Sequence, residues 1–157
     1  MGSTTFSGPV TSKAGFITGT DVNSTLTASA TITQDTYNGQ TINLSAAAGM
    51  TITLPAATGT NAMYRFVVST SVTSNSYVIK VANATDIMIG TASVAGTTGT
   101  VFSTIAASDT LTMSGSTTGG LAGSYVEIID IAAGEFVVRA NLLGSGTPAT
   151  PFSATVS

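Results

Sequence analysis

A two-residue alternation of apolar and polar side chains runs through most of the chain. It is clearest from Leu26 to Thr33 and from Phe152 to Val156. Successive side chains of a β-strand point to opposite faces, so this alternation is typical of a strand with one buried face. Two denser apolar stretches, Met63 to Val68 and Tyr77 to Val81, favour central strands. Other strands are predicted around Ile42, Ile52, Met88, Val101, Leu111, Tyr125 to Ile131 and Phe136 to Leu142.

The strong helix formers after Ala (Leu, Glu, Lys, Arg and Gln) are scarce, and no segment predicts a helix longer than about two turns. Hydrophobic residues make up 43% of the 157 residues, which is enough to build a core. The sequence therefore predicts an all-β fold, a single-domain β-sandwich or jelly-roll-like barrel of about eight to ten strands. Residues 21–157 form this domain in the prediction, and residues 1–20 form an extended N-terminal arm.

Two turns allow a prediction of strand register. A three-residue loop at 37–39, with Gly39 at a positive-φ position, would set Leu44 opposite Ile32 in a hairpin. The same reasoning for residues 132–134 pairs Ile129 with Val137. It also places Glu127 opposite Arg139, an exposed pair that contributes about 0.2–1 kcal/mol to stability.

The predicted arm carries large apolar side chains without a helical period. Two interpretations remain open: a frayed terminus, or an arm that contacts another subunit or a neighbouring protein. Apolar residues of this size favour the second, because a simple tail does not need them. Pro9 pre-sets the backbone and lowers the cost of ordering the arm. The predicted partner-contact residues are Phe6, Pro9, Val10, Phe16 and Ile17.

Few side chains are suited to catalysis. The chain has no His, Cys or Trp, and 7% of its residues are charged, against roughly 25% in ordinary globular proteins. Ser and Thr supply 49 residues, but Ser nucleophiles lack the His that usually activates them. We therefore expect no enzyme, no catalytic residue, no cofactor and no metal site.

The acidic residues are expected to have structural roles. Asp21, Asp35, Asp86 and Asp109 fall near predicted turns, where Asp accepts local backbone hydrogen bonds. A second group (Glu127, Asp130 and Glu135) is interpreted as the solvated face of the 132–134 hairpin, with Arg139 balancing Glu127. Of the four tyrosines, three lie within apolar strands and are interpreted as core or sheet-face residues rather than as the lining of a sugar groove.

The charge pattern also limits the partners. The formal net charge is −3, and the four basic residues (Lys13, Arg65, Lys80, Arg139) are scattered along the chain. They cannot neutralise a phosphate backbone, so neither nucleic acid nor a membrane surface is an expected partner. The N-terminal residues lack the basic and apolar regions of a signal peptide, and no apolar run reaches the length of a membrane span.

Several segments resemble a known group of proteins. The opening Thr5 to Phe16 (TFSGPVTSKAGF), Ile42 to Ala57 (INLSAAAGMTITLPAA), Tyr64 to Val68 (YRFVV) and Tyr77 to Asn83 (YVIKVAN) are similar to small β-rich virion proteins of tailed phages, especially those of marine and freshwater hosts. The resemblance covers most of the chain. It implies a capsid decoration, or cement, protein on the capsid exterior, with the major capsid protein as its partner.

The resemblance also implies a homotrimer, since such proteins often occupy threefold positions. The low charge is compatible with self-association, because little repulsion separates the copies. An alternative function is a carbohydrate- or receptor-binding β module associated with a tail or fibre, although the absence of Trp weakens this alternative. A glycan-cleaving enzyme is disfavoured by the missing His and the few acidic residues.

Overall fold

The computed structural model describes residues 23–156, which form twelve β-strands and one helical turn. The helical turn is α1 (Gln34–Tyr37). The strands are β1 (Asn23–Leu26), β2 (Ala30–Thr31), β3 (Thr41–Leu44), β4 (Met50–Thr53), β5 (Met63–Val68), β6 (Tyr77–Lys80), β7 (Ile87–Ala95), β8 (Gly99–Ser103), β9 (Thr110–Met113), β10 (Tyr125–Ala132), β11 (Glu135–Leu143) and β12 (Phe152–Ser153).

The strands form two mixed sheets that pack against each other. Sheet A has seven strands in the order β1-β3-β5-β10-β11-β7-β8, and sheet B has five in the order β12-β9-β6-β4-β2. One hydrophobic core contains side chains from both sheets. The predicted all-β sandwich is confirmed, and so is the absence of a long helix for the part of the chain that the structure describes.

The first half of the chain winds between the two sheets. Strands β1, β3 and β5 lie in sheet A and pair in parallel, while β2, β4 and β6 lie in sheet B and also pair in parallel. Parallel neighbours need a crossover connection, and here a strand of the opposite sheet supplies it. The loops between these strands therefore cross from one sheet to the other at the ends of the sandwich.

Strict alternation of burial builds the core. In β5 every second side chain is buried, and Tyr64, Phe66 and Val68 point inward. In β6 the buried side chains are Tyr77 and Ile79. Both strands lie inside their sheets, as predicted. Their outward side chains are half-buried, so each strand is apolar on the core face rather than buried on both faces.

The predicted register of the hairpin at 132–134 is confirmed, although Ala132 itself pairs with Glu135 and the register shifts between Asp130 and Ala132. Strands β10 and β11 pair in antiparallel fashion with Ile129 opposite Val137 and Glu127 opposite Arg139. Gly134 has φ of 81°, a conformation in the left-handed region that an L side chain rarely adopts. The local turn residues therefore determined this register correctly.

The predicted hairpin at 37–39 is wrong. Ile32 follows β2 of sheet B, whereas Leu44 ends β3 of sheet A, so the two residues are not paired. Gly39 does have a positive φ of 74°, but it follows the helical turn α1 and not a strand. The alternation from Leu26 to Thr33 is likewise not one strand, because β1 ends at Leu26 before the chain crosses to sheet B. Ile32 and Leu44 both face the core, from opposite sheets, which satisfies the same sequence pattern.

The buried hydroxyl group of Tyr77 joins three segments at the end of the sandwich where β6 begins. The Tyr77 hydroxyl accepts a 2.8 Å hydrogen bond from the Ala46 N–H and donates a 2.7 Å bond to the Thr70 carbonyl. Tyr77 has no exposed surface. These bonds hold the loops after β3 and β5 against β6.

We expect Tyr77→Phe to destabilise the protein by about 1–3 kcal/mol, because the partly buried Ala46 N–H and Thr70 carbonyl lose the hydroxyl that pairs them. Tyr64→Phe is the matched control: Tyr64 is equally buried, but among the described residues no hydrogen bond to its hydroxyl is found. Urea denaturation would measure both changes. A Tyr77 variant no less stable than the Tyr64 variant would contradict this assignment.

Candidate functional site

Three buried aspartates lie at one end of the sandwich, among loops that bond to one another. The segments are residues 54–62, 81–86, 104–109, 130–134 and 153–156, called the carboxylate end here. Backbone hydrogen bonds connect Gly134 to Ala57, Ile87 to Gly134, and Met88 to Ser108. Within this end, Asp86, Asp109 and Asp130 are each at most 5% exposed.

Asp130 binds the loop that crosses from β4 to β5. Its carboxylate accepts backbone N–H bonds from Gly59 at 2.7 Å, Thr60 at 3.0 Å and Thr58 at 3.1 Å. The Thr60 hydroxyl donates a further bond of 2.7 Å. Three consecutive N–H groups of one loop therefore converge on a single carboxylate. This arrangement attaches the crossing loop to β10.

Asp86 holds another part of the same crossing loop, and Asp109 fixes the segment after β12. Asp86 accepts bonds from the Ala57 N–H at 3.0 Å and the Asn83 side-chain amide at 2.8 Å. Asp109 accepts bonds from the N–H groups of Thr155 and Val156, at 2.9 and 3.1 Å. It thereby holds the segment after β12 against the start of β9. All three carboxylates are used to satisfy loop donors.

Hydrogen bonding decides the charge state of two of these groups. Burial by itself raises the pKa of Asp130, but the bonds from Thr60, Gly59 and Thr58 outweigh burial and hold the pKa below its ordinary value. Burial also raises the pKa of Asp109, but the bonds from Thr155, Thr110 and Val156 outweigh burial, so this pKa is lowered as well. Both aspartates are therefore anions at neutral pH. Burial, and then the negative charge of Asp130, raises the pKa of Tyr64.

The interpretation of Glu127, Asp130 and Glu135 as one solvated hairpin face is wrong for Asp130. Asp130 points into the sandwich, in phase with the buried Val126 and Ile128 of the same strand. Its position in the alternation is the sequence signal that identifies it as buried. Asp86 and Asp109 do lie in loops next to strands, as predicted, but their burial was missed.

A charged row crosses the outer face of sheet A. Neighbouring strands place Arg65, Glu127 and Arg139 side by side, with Glu127 between the two arginines. Arg65 forms the ion pair with Glu127, its Nε lying 3.8 Å from Glu127 Oε2. Arg139, which the sequence predicted to balance Glu127, is only its neighbour in the strand register. The Tyr125 hydroxyl donates to the same Glu127 oxygen at 3.1 Å. Burial, and then that bond, raises the pKa of Tyr125.

An apolar row lies beside the charged row on the same face. Strand pairing aligns Met63, Ile129, Val137 and Ile89 across β5, β10, β11 and β7. In addition, all the large apolar residues that the structure shows as exposed belong to sheet A or to the segment directly after β8: Ile89, Val101, Ile105, Ile131 and Leu143. Of the described surfaces, sheet A and the segment after β8 therefore carry the exposed large apolar side chains.

The outer face of sheet B is hydroxyl-rich instead. An open groove of about 250 Å³ is lined by Ser29, Ala30, Thr31, Thr51, Thr53 and Lys80. Of the three strand tyrosines, Tyr64 and Tyr77 are buried in the core, and Tyr125 lies on sheet A. Nothing in this groove provides an aromatic platform.

Some predicted features lie outside the described residues or have no counterpart within them. The predicted contact residues Phe6, Pro9, Val10, Phe16 and Ile17 lie outside the described residues. Within residues 23–156, no group of three acidic side chains is arranged to hold a metal ion. No helix in this part of the chain is long and apolar enough to cross a membrane.

No family model, no curated protein and no solved structure matches the chain. The assignment of a function therefore depends on the residues and their arrangement.

We expect Asp130→Asn to lower the free energy of unfolding by about 2 kcal/mol, since an amide cannot accept all the loop N–H bonds and its NH₂ group would face some of these donors inside the sandwich. Asp35→Asn makes the same chemical change at an exposed residue and should alter stability by about 0.5 kcal/mol at most. Urea denaturation at neutral pH compares them. Equal stability of the two variants would show that Asp130 does not anchor the loop.

The same carboxylates predict loss of stability in acid. Asp109 and Asp130 have a lower pKa when folded than the value of about 3.9 in an unfolded chain. Their contribution is complete above that value and is lost as the pH falls through the folded-state pKa. The urea midpoint should therefore fall below about pH 4, and it should fall less in the Asp130→Asn variant than in the wild type. A midpoint independent of pH in this range would contradict the assignment.

Proposed function

We propose that this protein is a non-enzymatic structural component of a tailed-phage virion, a decoration protein that binds the outside of the capsid. The observation that carries the proposal is the outer face of sheet A. There an apolar row lies beside a charged row, both on strands fixed at the centre of a sheet. Such a surface supports docking on a protein rather than chemistry on a small molecule.

The arrangement of the acidic residues supports a role without catalysis. A catalytic carboxylate needs a free lone pair directed at a substrate, within a cleft. In this protein Asp86, Asp109 and Asp130 direct their oxygens at backbone N–H groups of the loops. Glu127 is shared between Arg65 and Tyr125. These groups hold the sandwich together.

The two rows have complementary roles in binding. Large apolar side chains supply affinity by leaving water, each worth about 1.5–3 kcal/mol when fully buried. The charges of Arg65, Glu127 and Arg139 supply orientation more than affinity. A protein that binds only the assembled shell stabilises the shell by mass action, without making or breaking a bond. The resemblance to phage virion proteins implies that the partner is the major capsid protein.

Rebinding to particles that lack this protein tests the proposal. The protein would be labelled, and the copies bound per particle counted. Decoration predicts saturation at hundreds of copies, because the shell repeats its binding site. Saturation at a few copies, located at the tail, would support the carbohydrate- or receptor-binding alternative and contradict decoration.

A pair of variants tests the proposed surface. Val137→Lys places a charge in the apolar row and should weaken rebinding by about tenfold or more, since 1.4 kcal/mol is a factor of ten. Thr51→Lys is the matched control, because it places the same charge on a half-buried outward position of sheet B. Unchanged circular dichroism would confirm that both variants fold. Equal binding of the two variants would exclude the outer face of sheet A as the contact surface.

A further inference from the structure

Strand β8 is the free edge of sheet A among the described strands. It pairs only with β7, in antiparallel fashion, from Thr91 opposite Ser103 to Ala95 opposite Gly99. The Gly96 N–H bonds to the Thr98 carbonyl, and the Thr104 N–H bonds to the Gly90 carbonyl. The even-numbered residues of this segment are therefore the ones that bond to β7. In an antiparallel ladder such residues alternate, so the backbone groups of Gly99, Val101 and Ser103 point away from β7.

This edge lacks the usual protection against pairing. Natural sheet edges are blunted by charged residues, by proline or by bulges. Residues 87–108 contain neither a charged residue nor a proline. Val101 on β8 is 68% exposed, and Ile105 just after it is 70% exposed. The edge strands of sheet B have two residues each, so β8 offers a longer template than they do.

The opposite edge of sheet A is β1, and residues 1–22 precede it directly. This segment has apolar residues in the pattern Phe6, Val10, Phe16, Ile17 and two charged residues, Lys13 and Asp21. When extended, 22 residues reach about 70 Å. The segment can therefore leave the β1 edge of one copy and lie along the β8 edge of a neighbouring copy.

We propose that a stretch within residues 4–18 of a second copy, matched in length to the five residues of β8, adds to β8 as an eighth strand of sheet A. Main-chain hydrogen bonds to Gly99, Val101 and Ser103 provide the affinity, as in other cases of strand addition. The apolar side chains of the added strand cover Val101 and Ile105. This contact between copies does not depend on the proposed virion function.

The geometry favours a second copy over the same chain. The sheet spans six strand spacings, about 29 Å, between β1 and β8. To reach its own β8, the segment would cross the face of its own sheet, where no strand edge is open to pair with its backbone. Exchange between copies joins two different edges, a head-to-tail contact that forms a ring when the rotation between copies closes. A trimer is such a ring.

Two single variants of the full chain test the exchange. Phe16→Asp alters the donated segment, and Val101→Lys alters the accepting edge. Light scattering should give a multiple of the 15.5 kDa chain mass for the wild type and the monomer mass for each variant. An equimolar mixture of the two variants should gain a species of twice the chain mass, because one intact segment meets one intact edge.

Asn141→Lys is the matched control, because Asn141, Ser93 and Val101 lie in one row of the sheet and Asn141 is two strands from the edge. It should keep the wild-type mass. Unchanged circular dichroism would show that all the variants fold. A monomeric wild type would overturn the proposal. So would a Val101→Lys variant with the wild-type mass, or a mixture of the two variants without a dimer.

Discussion

The carboxylate of Asp130 connects the first half of the chain to the second half. The first half winds between two sheets, and its loop from β4 to β5 crosses one end of the sandwich with three consecutive N–H groups directed at a buried carboxylate. That carboxylate belongs to Asp130 on β10, in the second half of the chain. Asp86 accepts a bond from Ala57 of the same loop, and Asp109 holds the segment after β12. In a chain with so few charges, the three buried aspartates therefore hold loops and the segment after β12 in place.

This distribution of polarity explains the character of the surfaces. Because the carboxylates are used at one end of the sandwich, the faces of the sheets are left with hydroxyl groups, apolar side chains and a short charged row. Sheet B presents threonines and Lys80, while sheet A presents an apolar row and the unprotected edge of β8. The protein therefore has two features suited to assembly, a face and an edge, and both belong to sheet A. We regard the face as the contact with a partner and the edge as the contact between copies.

Local patterns predicted the strands and one hairpin well, but not the winding of the chain. The register of β10 and β11 followed from the turn at 132–134, because both strands belong to the same sheet. At 37–39 the same reasoning failed, since Ile32 and Leu44 face one core from opposite sheets and a period of two cannot distinguish this from pairing. The burial of Asp130 was readable from its phase with Val126 and Ile128. Its loop partner, some seventy residues away, was not.

The most direct test is a cryo-EM map of the particle that carries this protein. The account predicts sandwich density on the outside of the shell, with the outer face of sheet A against the capsid protein and a strand from a neighbouring copy beside β8. Density confined to the tail, or a sandwich whose sheet A face and β8 edge are both open to solvent, would contradict it.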